Sequence, residues 1–89
     1  MNNDRRKRKR DVEIKLQKMV DDLSLINIDA EIIKDEERDA YDNLSENLQN
    51  SEKGYTLEEN ADKLEDACSS LEDAIFSMKD ALDSFKEVE

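Results

Sequence analysis

Residues 57–89 decide the fold, because in sevens they read LEENADK, LEDACSS, LEDAIFS, MKDALDS and FKEVE. The first column of these heptads contains Leu57, Leu64, Leu71, Met78 and Phe85. Two further columns contain Asn60, Ala67, Ala74, Ala81 and Val88, and Ala61, Cys68, Ile75 and Leu82. An apolar stripe about three positions wide is typical of a helix that packs on other helices. The heptads therefore predict a helix over about residues 56–87, whose small alanine column lets a neighbouring helix approach closely.

The N-terminal half carries a weaker version of the same pattern. Its positions, at alternating steps of four and three, are Val12, Leu16, Met19, Leu23, Ile26, Ala30, Ile33, Glu37, Ala40 and Leu44, of which Glu37 is polar. This pattern predicts a helix over about residues 8–44. Because the two helices have similar lengths, we expect an all-α fold in which they form an antiparallel coiled-coil hairpin.

The junction between the helices is predicted over residues 45–55, where turn-forming residues cluster. Two starts of the second helix are open. Thr56 and Glu59 have the spacing of a capping box, whereas Ser51 as N-cap would place Gly54 in the first turn.

Composition limits the class of protein. The chain contains no proline, no histidine and one cysteine, Cys68, which cannot form an internal disulfide and is interpreted as a small buried hydrophobe. No stretch approaches the roughly 20 apolar residues of a membrane span, and no apolar run follows the basic N-terminus as in a signal peptide. We therefore expect a cytoplasmic protein without a membrane partner.

The net charge of −11 is unevenly distributed. Residues 1–10 carry six basic side chains and one acidic side chain, a charge of +5, so the helical hairpin over residues 11–89 carries −16. The basic segment consists of Arg5, Arg6, Lys7, Arg8, Lys9 and Arg10. Three interpretations of this N-terminal tail are open: a solvated tail, a site for nucleic acid, or a contact with an acidic surface such as the protein's own.

A second group of apolar residues lies off the main pattern of the first helix. Leu25, Ile28 and Ile32 share a helix face at spacings of three and four. A hairpin of two helices cannot bury both faces, and so thin a core is marginally stable alone. We expect these residues to mediate self-association into a dimeric four-helix bundle. The alternatives are ordinary exposed apolar surface and a docking site for another protein.

Acidic residues recur along both helices. Those of the second helix suit the outer face of a coiled coil, and the alternative is that they imitate the phosphates of a nucleic acid. Carboxylates of the first helix that could hold Mg²⁺ are Glu31, Asp35, Glu36, Asp39 and Asp42. Because the chain has no histidine, no pairing of a nucleophile with a base and no phosphate loop, we expect neither an enzyme nor a bound cofactor.

The segment Asp35–Gly54, DEERDAYDNLSENLQNSEKG, followed by an acidic heptad helix, resembles a group of small uncharacterised proteins of Gram-positive bacteria and their phages. Ser45 stands where proline is common in that group. The resemblance implies a mobile-element context and no specific activity.

Residues of this junction are candidates for a partner-binding tip: Tyr41, Asp42, Asn43, Leu48, Gln49 and Tyr55. The alternative is that they cap the helices and close the end of the hairpin, with Leu48 packed into that end. The favoured function is a non-enzymatic protein–protein interaction module, such as a phage accessory or inhibitor protein that binds a host protein. The alternative function is a nucleic-acid-associated accessory protein that uses the basic segment.

Overall fold

A computed structural model describes residues 1–89 and contains two long helices joined by a short one. Helix α1 covers Asn3–Asp42, α2 covers Glu46–Gln49 and α3 covers Glu52–Glu87. Helices α1 and α3 pack along each other, and the molecule measures 69 × 14 × 14 Å. The chain contains helices and no strand, and its two long helices pack against each other. The predicted all-α fold with a helical hairpin is therefore confirmed.

Helix α1 begins at Asn3, five residues before its predicted start. The side chain of Asn2 accepts a hydrogen bond of 2.9 Å from the backbone N–H of Arg5, and Asp4 suits the positive end of the helix dipole. This N-cap extends the helix through the basic residues, so most of the predicted tail over residues 1–10 is helical.

Helix α3 begins at Glu52, which selects Ser51 rather than Thr56 as the N-cap. The Ser51 hydroxyl accepts a hydrogen bond of 3.5 Å from the backbone N–H of Gly54. Gly54 is buried where the first turn of α3 passes over the end of α2. The junction is therefore shorter than predicted, since it occupies residues 43–51 and includes α2.

The inner face of α3 uses two of the three predicted apolar columns. Ala61, Cys68 and Leu82 are buried, and the leucines of the first column are half-buried beside them. The column that contains Ala67, Ala74 and Ala81 is exposed. A single neighbouring helix covers two columns of a heptad, so the predicted close packing of the alanines on the other helix of the hairpin is wrong.

The inner face of α1 is rotated relative to the prediction. Leu16, Leu23 and Ala30 face α3 as expected, but Val12, Met19, Ile26, Ile33 and Ala40 are exposed. The column that follows each of them by one residue turns inward instead and contains Glu13, Val20, Asn27, Lys34 and Tyr41. This rotation accompanies ion pairing of Arg38 with α3, which a sequence pattern for one helix does not reveal.

Candidate interaction surfaces

One side of the hairpin brings together the exposed apolar columns of both long helices. Met19, Ile26 and Met78 line one groove between the helices, and Ile33 and Asn60 line another. Both grooves therefore border on the exposed column of α1 that contains Met19, Ile26 and Ile33. Asn60 belongs to the exposed column of α3. We call this surface the Ile26 face, and its apolar members are Val12, Met19, Ile26, Ile33, Ala67, Ala74 and Ala81.

The Ile26 face is mostly apolar and accessible, and the charged side chains that line its grooves are Asp22, Glu37 and Lys63. The side chains of Met19, Ile26 and Ile33 are 57%, 54% and 52% exposed. Ser70 and Ser77 lie beside the alanine column one turn of helix away, and they are also exposed. Large side chains on α1 and small ones on α3 thus give a broad surface that water covers in the monomer.

Polar contacts occupy the opposite side of the hairpin. Nη2 of Arg38 donates to Oδ1 of Asp62 at 3.1 Å and to Oε2 of Glu65 at 3.5 Å. Further along α1, the ammonium of Lys34 donates to the carboxylate of Glu31. The two sides therefore differ, since ion pairs join the helices on one side, whereas the Ile26 face is mostly apolar and is crossed by a hydrogen bond of 3.0 Å from Nδ2 of Asn60 to Oε2 of Glu37.

Three titratable groups on or next to this polar side have shifted pKa values. The hydrogen bond from Lys34 holds the pKa of Glu31 below its ordinary value, and the same bond raises the pKa of Lys34. Burial raises the pKa of the Cys68 thiol. A lowered pKa for the paired carboxylate and a raised pKa for the buried thiol both fit structural roles in the contact between the helices.

The predicted self-association residues Leu25, Ile28 and Ile32 are all exposed. They lie on outward-facing positions of α1, which makes them a second apolar patch separate from the Ile26 face. We call them the Ile28 patch. The Ile26 face could not be recognised from the α1 pattern, because that pattern places the Ile26 column in the core. The uncharged alanine and serine columns of α3 were a usable signal.

The candidate tip residues divide into structural and accessible groups. Nε2 of Gln49 donates to the backbone carbonyl of Tyr41 at 3.2 Å, and Asn43 is the C-cap of α1. Burial raises the pKa of Tyr41, which is half-buried. Leu48 and Tyr55 are exposed, so the expected packing of Leu48 into the end of the hairpin is wrong.

Asp42, the remaining tip candidate, is also exposed. The exposed tip candidates are therefore Asp42, Asn43, Leu48 and Tyr55, of which Asn43 caps α1. An exposed tyrosine such as Tyr55 is suited to a small protein contact.

The basic segment lies on a part of α1 that extends past the end of α3. Arg38 pairs with Asp62 and Leu23 lies beside Met78, and continuing this antiparallel register sets Val12 beside Val88. Residues Arg5–Arg10 are consequently beyond the last turn of α3, and all of them except Lys9 are exposed. Within α1, Arg8 pairs with Asp4 and Lys9 pairs with Glu13.

No three carboxylate or thiol side chains converge into a group that could hold a metal ion. The candidate Mg²⁺ ligands of α1 are distributed around the helix, and one of them, Glu31, is paired with Lys34. None of the helices has the length and apolar character that crossing a membrane requires.

Comparison with protein-family models, curated proteins and solved structures finds no match for this chain. The resemblance of residues 35–54 to small acidic proteins of Gram-positive bacteria and their phages stays a prediction. The functional interpretation therefore rests on the surfaces described above.

Proposed function

We propose that this chain is a non-enzymatic protein–protein interaction module that pairs with a second copy of itself as a dimeric four-helix bundle. The supporting observation is the imbalance between its core and its surface. The buried hydrophobic residues are Val20, Ala61, Cys68 and Leu82, whereas 14 large hydrophobic side chains are exposed. Because each long helix buries one face on the other, a further layer of helices is needed to cover the rest.

The self-association is tested by sedimentation equilibrium of the purified chain over a range of concentrations. We expect a species of twice the 10.4 kDa chain mass to form in the micromolar range. Since the hairpin is thinly packed, we also expect its melting temperature to rise with protein concentration. A chain that stays monomeric at about 100 μM, with a concentration-independent melting temperature, contradicts the proposal.

The accessible part of the tip supports binding of a further protein. Leu48 and Tyr55 are exposed at the closed end of the hairpin, away from the chain termini. The resemblance of the junction implies a mobile-element context, in which the protein bound by the tip is a host or phage protein. Capture from host cells, with and without phage infection, compares the native chain with a Leu48→Ala, Tyr55→Ala variant. A partner that both chains retain equally does not bind the tip.

A second candidate function is association with nucleic acid through Arg5–Arg10. The observation that favours it is the position of these side chains on a helical extension clear of α3. Binding of duplex DNA or RNA in a salt titration tests it, because each phosphate contact adds to the salt dependence. Replacing Arg5, Arg6 and Arg10 by Gln should abolish such binding, and unchanged affinity excludes the segment as the site.

A further inference from the structure

We infer that the second copy covers the Ile26 face, in an antiparallel orientation whose two-fold axis passes between the two Ile26 side chains. This inference rests on the proposed self-association and specifies its surface and its orientation. The interface of the four-helix bundle is then the Ile26 face, which lies beside the contact between α1 and α3, and not the Ile28 patch.

The Ile26 face has the shape of one half of a four-helix bundle. It spans both long helices, and on α1 it extends about 32 Å from Val12 to Ile33 at 1.5 Å per residue. A single partner helix would cover the groove between α1 and α3 but leave the outer edges of both columns in water. A second hairpin covers both columns at once, because it presents two helices of the same length and the same apolar width.

The two columns are arranged symmetrically about one level of the hairpin. Asn27 shares a groove with Ile75, which places Ile26 and Ala74 at nearly the same height. On α1, Met19 and Ile33 stand seven residues before and after Ile26, and on α3 two alanines stand seven residues before and after Ala74. A two-fold axis at this level therefore sets like column on like column along the whole face, as an isologous interface requires.

Charge distribution selects the antiparallel orientation. Residues 1–10 carry +5, whereas residues 35–59 at the other end of the hairpin carry nine acidic and two basic side chains. The antiparallel pair sets the basic extension of each copy beside the acidic junction of the other. A parallel pair would place the two basic extensions together and the two acidic ends together. Opposite charges steer the encounter and fix the register, so the antiparallel pair is favoured.

Disulfide trapping tests this arrangement. We expect Ile26→Cys to form a disulfide-linked dimer on mild oxidation, because the two-fold axis brings the new thiols of the two copies together. Ile28→Cys is the matched control, since Ile28 is exposed to the same degree on the outer patch. The native Cys68 is buried and does not compete. Faster trapping of Ile28→Cys than of Ile26→Cys overturns the assignment of the face.

A mixture of Val12→Cys and Ala40→Cys chains tests the orientation. The antiparallel pair sets Val12 of one copy near Ala40 of the other, so we expect the mixed disulfide to dominate. Disulfides between two Val12→Cys chains would show a parallel pair and overturn the inference. Sedimentation of the native chain distinguishes self-association from the interface proposed for it. A dimer without these disulfides refutes only the face and orientation, whereas a monomer refutes the proposed self-association as well.

Salt dependence provides an independent measurement. Because the charged ends are exposed, salt screens their attraction, and we expect the dimer dissociation constant to rise about tenfold between low and high salt. Replacing Arg5 and Arg6 by Glu should weaken the native dimer and remove most of this dependence. A dimer that tightens with salt, or a basic segment that binds duplex DNA while the chain stays monomeric, overturns the inference.

Discussion

A Cβ atom on Gly54 would stand 2.5 Å from the backbone carbonyl oxygen of Leu48. Real Cβ atoms do not approach backbone this closely, so the crossing of α2 and α3 depends on glycine at this position. We predict that Gly54→Ala lowers the free energy of unfolding by about 1–3 kcal/mol, although alanine is the better helix former. Thermal unfolding followed by circular dichroism measures the effect. Ser70→Ala, at an exposed position within α3, is the control and should not destabilise; equal stability of the two variants refutes the prediction.

Asn27 is predicted to weaken the hairpin, because its side-chain oxygen is buried without a hydrogen-bond partner. It lies in the inward column of α1 beside Ile75 of α3. Asn27→Leu should raise the free energy of unfolding by about 1–2 kcal/mol, since it removes an unsatisfied polar atom and adds apolar contact. Chemical denaturation at one fixed protein concentration measures the change. Asn47→Leu, on the exposed surface of α2, should have little effect; a destabilised Asn27→Leu chain would show that the amide has a stabilising partner.

The architecture of α3 could be predicted from its sequence because its pattern is local and regular. Leu57, Leu64 and Leu71 repeat at intervals of seven, and such a repeat places all three side chains on the same face of a helix. The starts of α1 and α3 were less predictable. Each depends on whether a single polar side chain, Asn2 or Ser51, bonds to a backbone N–H of the first turn.

The inner face of α1 could not be predicted from its sequence, because apolar residues occupy several of its faces. The pattern through Ile26 and Ile33 is the more hydrophobic choice, yet the structure turns Asn27 and Lys34 inward. Pairing across the hairpin, such as that of Arg38 with Asp62, accompanies this rotation. Interactions between residues so distant in sequence leave no periodic signal. Because the rotation of α1 exposes the column of Ile26 and Ile33, the candidate interface could not be predicted from the sequence either.

Cys68 is predicted to react slowly with thiol reagents in the folded chain. It is buried in the seam, and burial raises the pKa of its thiol above the ordinary value of 9.0, so less of the reactive thiolate is present at a given pH. We expect labelling at pH 8 to be at least about 100-fold slower than in the denatured chain. The matched variant Ser69→Cys adds an exposed thiol on the next residue, which should react rapidly. Labelling of Cys68 at the rate of that thiol contradicts its burial.

The ion pair between Lys34 and Glu31 predicts how stability depends on pH. The folded pKa of Glu31 is below its ordinary value of 4.5, so its contribution is complete above that pH and is lost as the pH falls through the folded pKa. The folded pKa of Lys34 is above its ordinary value of 10.5, so its contribution is complete below that pH and is lost as the pH rises through the folded pKa.

Lys34→Met removes the pair, and melting temperatures of the native and variant chains should therefore differ by a constant amount between about pH 5 and pH 10. The difference should shrink as the pH falls through the lowered folded pKa of Glu31, and again as the pH rises through the raised folded pKa of Lys34. Lys18→Met is the control, because Lys18 and its partner Asp22 are largely exposed and solvent screens their attraction. A difference that shrinks on neither acidification nor alkalinisation beyond this range would mean that Lys34 stabilises the contact between the long helices through its aliphatic stem and not through its charge.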